Sequence, residues 1–270
     1  IWKFFPMYSL RSFAKMIKNI EIIKYNNGFL EKTFDNVAEE SKINIFVNGS
    51  HYISLLCSNS ELTELCTGFL FSEGVISSFK DIKNIEVSCN NNIFISLDES
   101  INFFPEKHRI IVSGCSKGSI DEALMEQDNF YFPDSEPFYK ISDILNYMKD
   151  LNSHSEIFKK TGGTHCCVLY SKNKKIISED IGRHNALDKI IGKSLILDFK
   201  PSESILLLTG RVSSEILLKS AKFGVRIIIS RSAPTDFSVK TALGINMTLA
   251  GFARGNKMNI YSGADRLINA

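Results

Sequence analysis

The sequence predicts an α/β protein: a three-layer α/β sandwich in the second half, joined to a smaller α+β first half. Three observations carry this. Ser204 to Leu208 and Val225 to Ile229 are apolar almost throughout, as strands buried on both faces are. Stretches of helical period separate such runs from their neighbours. Ahead of them, residues 41–58 form short β-type runs around Asn48-Gly49-Ser50.

Taken in chain order, Ile43, Ile45 and Val47 alternate before the turn, and Tyr52 to Leu56 follow it. Asn-Gly favours a tight hairpin because both residues tolerate positive φ. Ser60 is placed to cap the next helix, in which Leu62, Leu65, Cys66, Phe69 and Leu70 make one buried stripe. Cys66 on that stripe reads as core. Val87, Cys89 and Ile93 to Leu97 read as further strands. Asp128 to Pro137 is acidic and aromatic with two prolines, which marks a boundary. Ile141, Ile144, Leu145, Met148 and Leu151 then mark an amphipathic helix with Ser142 as its cap. His165 to Tyr170 and Lys175 to Ile181 predict a hairpin, and Asn185 to Leu197 a helix. A helix after Thr209-Gly210-Arg211 runs to Phe223 and is closed by Gly224. A helix near Asp236 to Leu243 and strands at Met247 to Phe252 and Met258 to Tyr261 complete the chain. The division expected is residues 1–20 as a loose extension, 21–135 as the α+β domain with its closing loop and linker, and 136–270 as the α/β domain.

Composition narrows the function classes. The 270 residues are 44% hydrophobic and 23% charged, with a net charge of only +2, which offers no broad nucleic-acid footprint. Six cysteines, at 57, 66, 89, 115, 166 and 167, contain no C-x-x-C pair, which argues against a structural zinc site or a dithiol redox motif. A reducing, cytoplasmic setting is expected. No stretch approaches the ~20 apolar residues of a membrane span. Lys3, Arg11, Lys15 and Lys18 interrupt the first 20 residues too often for a signal peptide, leaving an organelle-targeting helix or a weak membrane-surface segment as the alternatives to a loose extension.

In α/β sheets, ligands bind beyond the carboxyl ends of strands, where helix N-termini present free N–H groups. The predicted strand ends here carry Thr161 to His165, Asp180 to Asn185, Thr209 to Ser214, Ser230 to Thr235 and Phe252 to Lys257. Each alone reads as a solvated loop. Five together, each with Arg or His, predict a pocket for a phosphate-bearing ligand. Gly192-Lys193-Ser194 lacks the upstream glycine of a phosphate loop, and His184-Asn185-Ala186 lacks the glutamate and the later cysteines of a zinc deaminase. Cys115, in Ser113-Gly114-Cys115-Ser116-Lys117-Gly118-Ser119, follows the strand-like Ile110 to Val112. His108, Arg109 and Lys117 flank it, the setting that stabilises a nucleophilic thiolate. Cys57, Cys66 and Cys89 lie in apolar elements and read as structural, and Cys166 and Cys167 read as strand packing.

Several of these motifs occur in the order seen in one family. Thr161 to His165, Glu179-Asp180-Ile181-Gly182-Arg183-His184-Asn185-Ala186-Leu187-Asp188-Lys189, Thr209 to Glu215, Ser232 to Thr235, Phe252 to Lys257 and, earlier, Glu64 to Gly74 resemble the formate dehydrogenase accessory (FdhD-type) sulfurtransferases. The resemblance runs from about residue 20 to the end. It implies a second half like a cytidine-deaminase core without its zinc ligands. It also implies a sulfur carrier that accepts persulfide sulfur from a cysteine desulfurase and delivers it to the molybdenum bis(molybdopterin guanine dinucleotide) of formate dehydrogenase. On that reading Cys115 carries the persulfide. Phe252, Ala253, Arg254, Gly255, Asn256 and Lys257 contact the cofactor, for which a guanine nucleotide is a fragment. The desulfurase and formate dehydrogenase are the implied partners. No nucleic acid, metal ligand, hydrolytic activity or redox metal is expected, and a homodimer is compatible. One departure stands out: many members carry a second cysteine in the loop where this chain has Gly118. That feeds the alternative of a cofactor-holding chaperone without sulfur transfer.

Overall fold

The computed structural model describes residues 16–101, 103, 109–111, 131–133, 139–171 and 174–269. Cys115 and its loop lie outside the described residues, as does most of the expected boundary at 128–137. The chain opens with an antiparallel hairpin of β1 (Ile17–Asn26) and β2 (Phe29–Ala38). β3 (Ser41–Val47) and β4 (Ser50–Cys57) form the hairpin expected around Asn48-Gly49, both at positive φ. After α1 (Leu62–Ser72), β5 (Ile82–Val87), β6 (Asn92–Leu97) and β7 (Arg109–Ile111) complete a five-stranded sheet of order β5-β6-β3-β4-β7. Ile43, Ile45, Ile53, Leu55 and Ile93 meet Leu65, Phe69 and Leu70 of α1 in its core. β7 runs parallel to β4, with Ile111 beside Leu55.

The second half comprises β8 (Tyr139–Lys140), α2 (Ile141–His154), α3 (Glu156–Thr161), β9 (His165–Ser171), β10 (Lys174–Asp180), α4 (Arg183–Ile196), β11 (Ile205–Leu208), α5 (Ser214–Phe223), β12 (Ile227–Ser230), α6 (Asp236–Gly244), β13 (Thr248–Arg254), β14 (Lys257–Ser262) and β15 (Leu267–Ile268). β8 and β15 pair by themselves, and the other strands form a six-stranded sheet of order β10-β9-β11-β12-β13-β14. β11, β12 and β13 are parallel to one another, β9 is antiparallel to β10 and β11, and β14 is antiparallel to β13. The carboxyl ends of β10, β11, β12 and β13 and the amino end of β9 therefore share one rim. Leu187, Ile191, Leu217 and Ala242 bring α4, α5 and α6 onto one face of the sheet. Ile144, Met148 and Leu151 bring α2 onto the other. The chain is α/β, as its sequence predicts.

The two sheets meet through α1 and α4, and glycine makes that crossing close. A Cβ on Gly68 would stand 1.8 Å from the Asp188 carbonyl oxygen, and one on Gly192 1.9 Å from the Glu64 carbonyl oxygen. No side chain fits at either position without separating the backbones.

Some local expectations give way. Glu61, not Ser60, precedes α1, and it does so in a left-handed conformation. The Ser60 hydroxyl instead accepts a hydrogen bond from Lys189. Lys140 precedes α2, so Ser142 sits inside its first turn. Cys89 lies after β5 and is exposed rather than packed. The first strand starts at Ile17, within the stretch read as a loose extension, and β1 and β2 were not expected at all.

Gly68→Ala should lower the unfolding free energy by about 3 kcal/mol, measured by urea denaturation. An unchanged midpoint would contradict the close crossing of α1 and α4.

Candidate functional site

Three of the polar turns on the rim are laced together by backbone bonds. Val212 donates to the Ala233 carbonyl and Thr235 donates back to Val212, tying the turn after β11 to the turn after β12. Phe252 donates to the Ser232 carbonyl, adding the end of β13. Gly251 is required there: a Cβ would stand 2.9 Å from both the Pro234 ring and the Ser232 carbonyl oxygen. Phe252 itself takes a φ of 54°, rare for a residue with a side chain, within an irregular stretch of the β13–β14 pairing. The Ser230 hydroxyl donates to the Gly210 carbonyl at 2.7 Å, and the Cys166 N–H donates to the Thr209 hydroxyl at 2.9 Å.

On this frame the sheet gathers cations. Arg183 opens α4 and Arg211 and Arg231 follow β11 and β12, while Arg254 and Lys257 face each other across the β13–β14 turn. Gly210 lies against Arg183 and His165, since a Cβ on it would stand 3.1 Å from Arg183 Cβ and 3.3 Å from His165 Nδ1. Burial, with Arg183 next, holds His165 below the ordinary histidine range. The Phe252 to Lys257 segment is a hairpin tip: Arg254, Gly255, Asn256 and Lys257 are exposed, and Gly255 turns the chain with a φ of 61°. Ala253 differs, because its methyl is buried in the core beneath α2, so only its backbone can border a ligand.

The longest motif does something else. Asp180 and Lys189 are completely buried and pair at 2.6 Å. Asp180 also accepts from the Ser58 N–H and hydroxyl, the Gly182 N–H and the Asn185 amide. Asn185 donates in turn to the Leu56 carbonyl, and Lys189 to the Ser58 and Ser60 hydroxyls. Burial works against the Lys189 ammonium, but Asp180 beside it more than offsets that and holds its pKa above the ordinary lysine range. Thus Asp180, Asn185 and Lys189 bolt the six-stranded sheet to the end of β4. Asp188 makes a second bolt, to the Ser72 hydroxyl of α1 at 2.7 Å and to Lys219 of α5 at 2.9 Å. Glu179 caps α3, accepting from the Ile157 and Phe158 N–H groups and the Thr164 hydroxyl; burial raises its pKa against those bonds. Sequence reasoning placed the Asp180 to Asn185 turn at the pocket. Only Arg183 of the stretch, with His165 across from it, lies against Gly210.

A family model described as the FdhD/NarQ family matches residues 38–268. The chain belongs to the FdhD/NarQ family. A Bacillus licheniformis protein named sulfur carrier protein FdhD is 35% identical, covering 93% of this chain and 99% of that one. The protein of that name from Bacillus subtilis is also 35% identical, covering 92% and 96%. A solved structure from Desulfotalea psychrophila, described as a formate dehydrogenase accessory protein, matches with a TM-score of 0.78 at 24% identity, over 94% of this chain and 100% of that one. At that identity the likeness speaks for the shared fold.

Because the relatives are named sulfur carrier proteins, the state of each thiol matters. Cys57, Cys66, Cys166 and Cys167 are buried. Burial pushes the Cys166 thiol up to about 12 and raises Cys57, Cys66 and Cys167 too, so none is a nucleophile at neutral pH. The reading of Cys166 and Cys167 as packing holds. Among the described residues no helix is long and apolar enough to cross a membrane.

His184 gives the rim a pH dependence. Burial, then Lys219 and Arg183, push it down to about 3, so it is neutral although the Glu215 carboxylate is 3.3 Å away. The unfolded chain takes up that proton near the ordinary value of 6.5. Stability is therefore lost as pH falls through the window between the two values. From pH 7 to pH 5 this group should cost about 2 kcal/mol, and His184→Gln should flatten the dependence by that amount in urea titrations. An equal loss in both proteins would show that His184 is protonated in the fold.

Proposed function

We propose that this chain is a cytoplasmic sulfurtransferase that takes sulfane sulfur onto Cys115 from a cysteine desulfurase. It delivers that sulfur to the molybdenum bis(molybdopterin guanine dinucleotide) of a formate dehydrogenase. The rim is the observation that carries the reading: Arg183, Arg211, Arg231, Arg254 and Lys257 at one end of one sheet, with Gly210 and Gly255 among them. A substrate with two pyrophosphates suits it, because guanidinium groups pair with phosphate oxygens and glycine lets backbone approach them. The hairpin tip Phe252 to Lys257 is the proposed cofactor contact, and GDP stands in for one half of that substrate. The helices on both faces of a sheet with parallel β11, β12 and β13 support the reading of a deaminase-type core. Sulfur carriage comes from the names of the relatives.

Cys115 follows β7 by four residues, at most about 14 Å of extended chain beyond Ile111. β7 lies beside β4, whose end at Leu56 and Ser58 is bolted to Asn185 and Asp180. The strand leading to the proposed thiol thus ends next to the sheet that carries the rim, which supports a short path from donor to substrate. In loading, the Cys115 thiolate attacks the terminal sulfur of the desulfurase persulfide. A new S–S bond forms on Cys115, the old one breaks, and the desulfurase leaves as thiolate with no net oxidation. With Gly118 in place of a second cysteine, reductive release of that sulfur needs a thiol from outside the loop.

Two variants test the proposal. Cys115→Ser should abolish formate dehydrogenase maturation with the far-ultraviolet spectrum unchanged; full dehydrogenase activity in a strain carrying only this variant would reject the carrier, and cofactor binding without sulfur transfer would favour the chaperone. Arg254→Ala with Lys257→Ala should weaken GDP binding by about ten- to a hundredfold in calorimetry, a modest loss because exposed charges are screened. An unchanged dissociation constant would take the hairpin tip out of the site.

A further inference from the structure

His165 opens β9 on the rim, directly opposite Asp180 at the end of β10. Its surroundings are cationic. Arg183 and His184 come from the start of α4 and Arg211 from the turn after β11, and the carboxylate that opposes them is Asp180. That carboxylate is already shared among Lys189 at 2.6 Å, Ser58, Gly182 and Asn185. Glu215, at the start of α5, faces His184 at 3.3 Å and Lys219 at 3.9 Å. Among the described residues no hydrogen bond occupies the His165 ring. Burial first, and Arg183 next, hold this half-buried imidazole below the ordinary histidine range, so the chain carries it neutral at pH 7.

Gly210 keeps the ring accessible. A side chain there would press on His165 Nδ1 and on the Arg183 stem, so its absence brings imidazole, guanidinium stem and bare backbone together at one spot. We propose that His165 is a phosphate contact of the rim and takes up a proton as a phosphate-bearing ligand binds. The inference rests on the reading of the rim as a phosphate site and adds the chemistry of one contact. A phosphate oxygen placed beside Arg183 and Arg211 cancels the field that disfavours the imidazolium, which then donates a charge-assisted hydrogen bond to it. The proton comes from solvent, and no bond to phosphorus changes. Linkage is reciprocal: a ligand that raises the proton affinity of His165 is bound more tightly, by the same factor, once His165 is protonated. Binding therefore tightens as pH falls toward the ordinary histidine value and loosens as pH rises. His184 is not placed for this role, because it is 6% exposed and already faces Glu215.

The probe is a guanosine diphosphate sugar, whose pyrophosphate diester, unlike GDP, has no proton to exchange near neutrality. Calorimetry of the full chain at pH 7, in buffers of different ionisation enthalpy, should show proton uptake approaching about one per ligand bound. The dissociation constant should fall about tenfold from pH 8 to pH 6, the factor that one unit of rise in the histidine pKa supplies. His165→Gln, which keeps a hydrogen-bond donor, should bind with no proton uptake and with a change of less than about twofold over that range. In the native protein, the magnetic-resonance titration of the His165 ring should move to higher pH when the ligand is added, a reading that needs no variant. Binding to native protein without proton uptake would overturn the inference and leave the phosphate site standing. Uptake that persists in folded His165→Gln would also overturn it, because the proton would then go to His184. No binding at any pH would overturn the phosphate site and the inference together.

Discussion

The two halves of this molecule are joined around a buried ion pair of the second half, which grips Ser58 at the end of β4. Asp180 and Lys189 are both sealed from water, and the Asp180 carboxylate satisfies itself on Ser58, Gly182 and Asn185. Such a pair returns little net stability against a well-packed apolar substitute. Removing one partner, however, leaves an uncompensated charge, at a cost of about 3–5 kcal/mol. Its value here is positional: it fixes where the end of β4 stands relative to the end of β10. The glycine-lined crossing of α1 and α4 supplies the close approach that keeps the pair dry, and Asp188 with Ser72 and Lys219 repeats the arrangement one turn along.

With the two sheets held in this way, the rest of the rim can be read as one surface. Turns from three strands are laced by main-chain bonds, so the arginines they carry are spaced by the sheet. Of the described thiols, Cys57, Cys66, Cys166 and Cys167 are shut off by burial and Cys89 is exposed, and the proposed carrier thiol lies in the loop after β7. A carrier must keep one reactive thiol and silence the others, because an extra accessible thiolate would divert or oxidise the cargo.

Much of this was legible in the sequence. Asn48-Gly49, the all-apolar runs ahead of the 205–208 and 227–230 strands, and Gly224 at a helix end each act through local backbone preference, which sequence expresses directly. The gathering of the turns after β11, β12 and β13 on one rim followed from parallel strands, and the antiparallel hairpin of β9 and β10 brings the other two. The β1–β2 arm was missed although Asn27-Gly28 gives the same turn signal as Asn48-Gly49. Its strands mix charged and apolar residues without a clean alternation, because neither face is buried in the single chain. The bolts were missed for another reason. Asp180 and Ser58 lie 122 residues apart, and nothing local distinguishes an aspartate that will turn inward from one that will meet a ligand. Ser60 is a similar case: a good cap by composition, drawn away by the Lys189 ammonium.

The central claim is that one thiol of this chain carries sulfur and that the buried ones do not. Peptide mass spectrometry after incubation with a cysteine desulfurase and cysteine tests it directly, with all six cysteines read in one experiment. The account predicts an added sulfur, about 32 Da, on the peptide containing Cys115 and on none containing Cys57, Cys66, Cys166 or Cys167. Added sulfur on one of those four in folded protein, with the Cys115 peptide unmodified, would contradict it.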